Sequence, residues 1–209
     1  ALEEVQTSPW YSEHLWMAHF ALTDVESGQH SAVERFSRSN PGLAGAQTEP
    51  FRVWLEDWQL TGSGDDFPWQ LHVADSELAL ALAMTAQKAP VLQGENGLSQ
   101  KSPAPGNASY YYSLTRLQTT GEIKIGEETF AVSGNSWLDR EWSTSALAAD
   151  QSGWDWFSLQ FNDGQELMYY QLRDNSGQAH PSSQGNWTGV AGKQQLITPQ
   201  QMLLEPLES

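Results

Sequence analysis

The sequence alternates apolar residues with other residues in short runs, and this period of two constrains the fold more than any other feature. In the clearest run, Leu78, Leu80, Leu82 and Met84 alternate with alanines. Strict alternation favours a strand over a helix here, because successive strand side chains point to opposite faces, although Ala and Leu are good helix formers. Comparable runs, separated by Gly, Pro, Asn and Asp, lie at 15–23, 52–60, 69–74, 78–85, 110–117, 121–125 and 128–132.

This pattern predicts an all-β fold with little helix. The chain has 10 Trp, 6 Tyr and 7 Phe among 209 residues, and such side chains suit half-buried strand surfaces. The one helix predicted is Pro199–Leu204, where Thr198 is a suitable N-cap. Three Gly-, Pro-, Ser- and Asn-rich segments, at 37–50, 89–107 and 175–187, are predicted to be loops. With no internal repeat and no clear linker, the chain is predicted to form one domain, 1–209.

Composition excludes several kinds of function. There is no cysteine, which rules out thiol catalysis, disulfides and cysteine–zinc sites. The net charge of -16 would repel a phosphate backbone, so we expect no nucleic-acid partner. No apolar run is long enough for a membrane helix, and Ala1–Glu4 does not have the features of a signal peptide. The five histidines show no zinc-ligand spacing, so neither a metal nor another cofactor is predicted.

The dipeptide Asp163-Gly164 predicts a hairpin with a two-residue type I′ turn. This turn would pair Asn162 with Gln165 and would fix the register of both strands. One face would then be mostly apolar and would form the core, with Phe157, Leu159, Met168 and Leu172. The other face would combine aromatic and polar groups and is the candidate ligand-binding face, with Trp154, Trp156, Tyr169, Gln171 and Arg173.

An alternative interpretation of this second face is structural. The face would point to solvent, and the guanidinium of Arg173 would stack on Trp154 in a cation–π pair.

The segment Trp137-Leu-Asp-Arg-Glu-Trp142 contains the candidate acid–base residues. In a strand, Trp137, Asp139 and Glu141 share one face, which brings the two carboxyl groups close together and makes Trp137 a further candidate for ligand binding. If that face is buried, repulsion would favour protonation of one acid, which could serve as a general acid beside its ionised neighbour. In the alternative interpretation, both acids pair with Arg140, Arg116 or backbone donors and have only a structural role. His19 is a third catalytic candidate, although a lone histidine on a mixed face is more often a hydrogen-bonded core residue.

Five segments together resemble the AttH-like/carotenoid 1,2-hydratase (hydroxyneurosporene synthase) family. They are Ala18-His-Phe-Ala-Leu-Thr-Asp24, Ser109-Tyr-Tyr-Tyr-Ser113, Trp137-Leu-Asp-Arg-Glu-Trp142, Gly153-Trp-Asp-Trp156 and Asp163-Gly-Gln-Glu-Leu-Met168 with Arg173. The resemblance implies a lipocalin-like (calycin) fold, either an antiparallel β-barrel or a strongly curved sandwich. It also implies a secreted or periplasmic protein with an apolar lipid- or isoprenoid-like ligand. The chain resembles the larger first part of such a two-domain protein, truncated at both ends, so we expect the N-terminal strand and the C-terminal β domain of the same family protein as partners.

Two functions follow from these observations. In the first, Asp139 or Glu141 protonates a carbon–carbon double bond, Trp154 and Trp156 face the developing cation, and water adds. In the second, the protein binds or carries a lipid without chemistry, and the acids serve structure. A hydrolase has weaker support, since the sequence contains no nucleophile-elbow motif.

Overall fold

The all-β prediction is confirmed. The structure, a computed structural model, describes residues 14–40, 42–63, 66–143, 147–205 and 207. Within those residues the chain forms antiparallel strands and no α-helix, and the predicted helix at Pro199–Leu204 is a single 3-10 turn, Pro199–Gln201 (η1). The described strands lie in open sheets rather than in a closed barrel. The described residues contain no helical segment with the length and apolar character of a membrane span.

The chain divides into two compact units. The first unit contains the described residues up to Thr85 together with Gln118–Gly134, and the second contains Ala86–Leu117 with the described residues from Asn135 onward. The single domain expected from the sequence stays a prediction. The N-terminal stretch Ala1–Glu4, considered above for a signal peptide, lies outside the described residues.

The first unit is built from consecutive antiparallel strands. Its strands are β1 (Leu15–Thr23), β2 (His30–Arg38), β3 (Ala44–Thr48), β4 (Phe51–Leu55), β5 (Trp58–Ser63), β6 (Asp66–Ala74) and β7 (Leu78–Ala86), with the adjoining ends of β10 (Ala108–Ile125) and β11 (Glu128–Ser143). Strands β1 and β2 pair with each other, whereas β3 to β7 pair in chain order and β10 follows β7. The predicted strand at 78–85 is therefore β7. The core of this unit contains Phe20, Trp58, Val73 and Leu78.

The second unit contains the remaining strands, and the loops predicted at 89–107 and 175–187 include two of them in full and most of a third. Its elements are β8 (Val91–Leu92), β9 (Leu98–Gln100), β12 (Gln151–Gln160), β13 (Glu166–Asp174), β14 (Gln184–Thr188), β15 (Gln194–Ile197) and η1, with the other ends of β10 and β11. Strands β8 and β9 pair with β10, and β12 to β15 form a four-stranded sheet in chain order. The core of this unit contains Tyr111, Met168, Tyr170 and Leu172.

The predicted register of the β12–β13 hairpin is wrong by one residue. The Phe161 N–H donates to the Gln165 carbonyl at 2.8 Å, and the Gly164 N–H donates to the Phe161 carbonyl at 3.1 Å. The loop therefore has three residues, 162–164, with Gly164 in the left-handed region at φ 82°. Trp156 consequently lies opposite Tyr170 rather than Gln171.

The extra loop residue changes which side chains share a face. Trp154 and Trp156 lie on the face of Met168, Tyr170 and Leu172. The opposite face contains Asp155, Phe157, Leu159, Tyr169, Gln171 and Arg173. Leu159, which was predicted to lie in the core, is 43% exposed.

Replacing Gly164 with alanine is expected to lower the free energy of unfolding by about 1–2 kcal/mol, because a Cβ disfavours a positive φ. The added Cβ would meet only the Val190 methyl groups at 3.9 Å, so the cost is conformational rather than steric. Urea unfolding followed by tryptophan fluorescence measures the loss. Gly164→Asn is the matched control, because asparagine tolerates this region better. Equal losses in the two variants would argue against this turn.

Candidate functional site

Three hydroxyl groups on β10 contact two carboxylates on β11 in the second unit. Ser109, Tyr111 and Ser113 alternate along β10, and all three are buried. The Tyr111 hydroxyl donates to Asp139 Oδ1 at 2.9 Å, and Ser113 donates to the same oxygen. Ser109 donates to Glu141 Oε1. Asp139 and Glu141 therefore project from the same side of β11, as the sequence predicted for a strand.

Two buried side-chain amides, those of Asn186 and Gln93, position Ser113. The Asn186 amide donates to Gln93 Oε1 at 2.9 Å, and the Gln93 amide donates to Ser113 Oγ at 2.8 Å. All three side chains are buried, so these two hydrogen bonds fix the direction in which the Ser113 hydroxyl donates. Asp139 is thus positioned by a network that extends from β14 through the loop after β8.

The Tyr111 hydroxyl connects Asp139 to the aromatic side chains of β12. The Trp156 indole N–H donates to Tyr111 Oη at 3.2 Å. Burial raises the pKa of Tyr111 well above its usual value, and the neighbouring charge of Asp139 adds to this effect. Tyr111 therefore keeps its proton at physiological pH and can donate a hydrogen bond.

A pocket of about 340 Å³ lies beside these residues, a size within the range of small-molecule sites. It is lined by Lys101, Tyr111, Glu141, Ser143, Leu147, Trp154, Trp156, Tyr170 and Leu172. Most of its wall is aromatic or aliphatic, and the polar groups are few. Trp154 and Trp156 are 59% and 42% exposed, so large apolar surfaces are available to a ligand.

Lys101 and Glu141 form the charged part of the pocket wall. Lys101 Nζ lies 2.7 Å from Glu141 Oε1 and 4.6 Å from the centre of the Tyr170 ring. The Tyr170 hydroxyl contacts Ser99 Oγ at 3.0 Å and accepts a hydrogen bond from Gln184 at 2.6 Å. Burial raises the pKa of Tyr170, so this ring also remains neutral beside the ammonium.

Neither of the two interpretations of the acids matches the geometry in full. Asp139 and Glu141 are exposed, so the burial that the general-acid hypothesis assumed is not found. Their partners are hydroxyl groups and Lys101, whereas Arg116 pairs with Glu166. Among the described residues, Asp139 has no ion pair, so the two acids have different electrostatic surroundings.

The structure brings together only some of the predicted site residues. Glu141, Trp154 and Trp156 line one pocket, and Asp139 is one hydrogen bond from it. Trp137 packs against the core of the second unit. His19 belongs to the first unit, where it is exposed and lies 3.7 Å from Glu34.

The other predicted ligand residues lie on the opposite face of the β12–β13 sheet from the two tryptophans. Tyr169 is buried there, Arg173 pairs with Asp155, and Gln171 lies opposite that aspartate. The one-residue register error is the reason that they were assigned to the tryptophan face.

The sequence interpretation missed several functional candidates, namely Lys101, Ser109, Tyr111, Ser113, Leu147, Tyr170 and Leu172. The alternation in Ser109-Tyr-Tyr-Tyr-Ser113 is a signal that could have identified three hydroxyl groups on one face. No comparable local signal exists for Lys101, because it comes from a loop and meets Glu141 only in the folded chain.

Comparisons with known proteins give a consistent result. The AttH-like family model matches residues 1–209. A Nitrosomonas europaea protein assigned as AttH has a crystal structure that matches with a TM-score of 0.86 and 33% identity, over 96% of this chain and 62% of that chain. The present chain thus spans 62% of the length of that protein.

A second solved structure is kievitone hydratase from Nectria haematococca, with a TM-score of 0.69 and 13% identity over 87% of this chain and 55% of that chain. At this identity the likeness shows the fold alone. No curated protein matches the chain.

Proposed function

This chain belongs to the AttH-like family, and we propose that its pocket binds a largely apolar ligand and supports hydration of a carbon–carbon double bond. Family membership confirms the resemblance inferred from the sequence motifs. The observation that carries the proposal is an aromatic pocket with a carboxylate, Glu141, in its wall and a second, Asp139, one hydrogen bond away. A neighbour with the same fold is a hydratase by name, which supports the reaction class.

Hydration adds the elements of water and requires a proton donor, a stabilised cation and an acceptor for a proton from water. In the proposed reaction a proton adds to one alkene carbon, and positive charge develops on the next carbon. The faces of Trp154 and Trp156 stabilise that charge. Water then bonds to the cationic carbon and loses a proton to a carboxylate, so the alkene gains one water and needs no redox cofactor.

The surroundings of the two acids suggest their roles. Glu141 lines the pocket and is paired with the Lys101 ammonium at 2.7 Å, and we assign it as the acceptor of the water proton. Asp139 is then assigned as the acid, because the Tyr111 hydroxyl connects its carboxyl group to the pocket. When Asp139 is protonated it can donate to Tyr111 Oη, which also accepts from Trp156. The Tyr111 proton is then directed to the ligand, so Tyr111 relays the proton from Asp139.

We expect the purified chain to convert an acyclic polyene, supplied in detergent micelles in ¹⁸O-labelled water, to a product that contains one labelled hydroxyl group. Liquid chromatography with mass spectrometry detects that product. Heat-denatured protein and micelles alone are the controls. If the polyene binds but no labelled product forms, hydration is contradicted.

A second candidate function is lipid binding without chemistry. It is favoured by the observation that both acids are exposed and already hydrogen-bonded, as acids with a structural role would be. Native mass spectrometry of the freshly purified chain would then reveal a co-purified apolar molecule. Absence of both a co-purified molecule and polyene binding would contradict this candidate.

A further inference from the structure

One end of the pocket contains a cation and an anion side by side. Lys101 Nζ contacts Glu141 Oε1, and Ser109 donates to the same carboxylate oxygen. The main chain of Lys101 is fixed as well, because the Gln151 amide donates to its carbonyl at 2.6 Å. Other hydrogen bonds therefore fix both members of the pair in the pocket wall, unlike a contact between two mobile surface side chains.

This pair retains hydrogen-bonding capacity toward the pocket. An ammonium has three donors, and within the described part of the chain one of them is used by Glu141. The second oxygen of Glu141 accepts no hydrogen bond from a described residue. The pocket end therefore offers a donor and an acceptor next to each other, which matches a hydroxyl group that accepts from the ammonium and donates to the carboxylate.

The charges distinguish between possible polar ends of a ligand. The positive charge of Lys101 is balanced by Glu141, which is the acidic residue among those that line the pocket. A ligand carboxylate would compete with Glu141 for the ammonium and would be repelled by the negative charge of Glu141. A neutral hydroxyl group has no such cost.

We propose that Lys101 and Glu141 are specificity-determining residues that select apolar ligands with a neutral hydroxyl end and reject fatty-acid anions. This inference rests on the proposed function in one respect, namely that the pocket binds an apolar ligand. Lys101 is the attractive element, and Glu141 is the element that rejects anions.

The test compares two probes with the same tail, decanol and decanoate, by isothermal titration calorimetry near neutral pH. The unmodified chain is expected to bind decanol about tenfold more tightly than decanoate or better, since charge-assisted hydrogen bonds are among the strong ones. Equal affinities, or a preference for decanoate, would overturn the proposal.

Two variants separate selectivity from a structural role. Glu141→Gln keeps the side-chain shape but leaves the ammonium uncompensated, so the preference should reverse toward decanoate. Lys101→Met should weaken decanol binding about tenfold, because the donor is lost. Lys193→Met, at an exposed lysine outside the pocket, is the matched control and should change neither affinity.

The outcomes also separate this inference from the hydration proposal. A loss of fold in either variant would appear in the circular dichroism spectrum, and the Glu141→Gln reversal cannot result from simple damage. If Glu141→Gln weakens the binding of both probes equally, the Lys101–Glu141 pair has no selective role. That conclusion holds even if the unmodified chain forms labelled polyene product. If the unmodified chain prefers decanol to decanoate but forms no labelled product, only the proposed hydration is contradicted.

Discussion

Replacing Glu166 with glutamine is expected to lower the free energy of unfolding by about 3–5 kcal/mol, the typical cost of removing one partner from a buried ion pair. Glu166 is fully buried in the second unit. Its two carboxylate oxygens contact Lys88 Nζ at 2.7 Å and Arg116 Nε at 2.6 Å. A neutral amide would leave two largely buried cations without compensating charge.

The same cluster holds the loop of the β12–β13 hairpin. Lys88 donates to the carbonyl of Gly164 at 2.6 Å, and Arg116 donates to the carbonyls of Phe161 at 3.1 Å and Gln165 at 3.4 Å. The Phe161 and Gln165 carbonyls also accept main-chain hydrogen bonds within the turn, so the cations add to the bonds that close it. Loss of Glu166 should therefore loosen the turn that fixes the register of the pocket tryptophans.

Urea unfolding followed by tryptophan fluorescence measures the effect of Glu166→Gln. Glu95→Gln, at an exposed acid in the same unit, is the matched control and should change stability by less than about 0.5 kcal/mol. Replacing Lys88, Arg116 and Glu166 together with apolar residues of similar size should recover most of the loss. Similar losses for Glu166→Gln and Glu95→Gln would contradict the role assigned to the cluster.

The strands could be predicted from the sequence because alternation is a local property. The run at 78–84 is a strand despite its helix-forming composition, since burial of Leu78 and Met84 in the folded unit outweighs propensity. The hairpin register could not be predicted with the same certainty. Asn162-Asp163-Gly164 is compatible with a two-residue loop and with a three-residue loop, and a single residue moves every side chain of one strand to the other face.

The candidate site was partly predictable for the same reason. Alternation placed Asp139 and Glu141 on one face, and it applies equally to Ser109, Tyr111 and Ser113. Lys101 and Tyr170 could not be found this way, because their contact depends on how a loop meets β13 in the folded unit. Charge compensation of Glu166 is likewise non-local, since Lys88 and Arg116 are separated from it by 78 and 50 residues.

Asp139→Asn is expected to lower the rate of polyene hydration by about 10²–10⁴-fold, the usual contribution of a general acid. The amide oxygen of asparagine can still accept hydrogen bonds from Tyr111 and Ser113, so the fold and ligand binding should be retained. The readouts are the rate of labelled product formation and the affinity for the polyene, measured on the same preparation.

Asp155→Asn is the matched control for this variant. Asp155 lies on β12 on the face opposite to Trp154 and Trp156, where it pairs with Arg173 at a partly exposed site. Its loss should cost less than about 1 kcal/mol of stability and should leave the hydration rate unchanged.

Tyr111→Phe tests the relay, because it removes the hydroxyl group between Asp139 and the pocket while keeping the aromatic wall. An unchanged hydration rate in Asp139→Asn would exclude this carboxyl group as the proton source. If Asp139→Asn lowers the hydration rate and Tyr111→Phe does not, Asp139 protonates the ligand without the tyrosine.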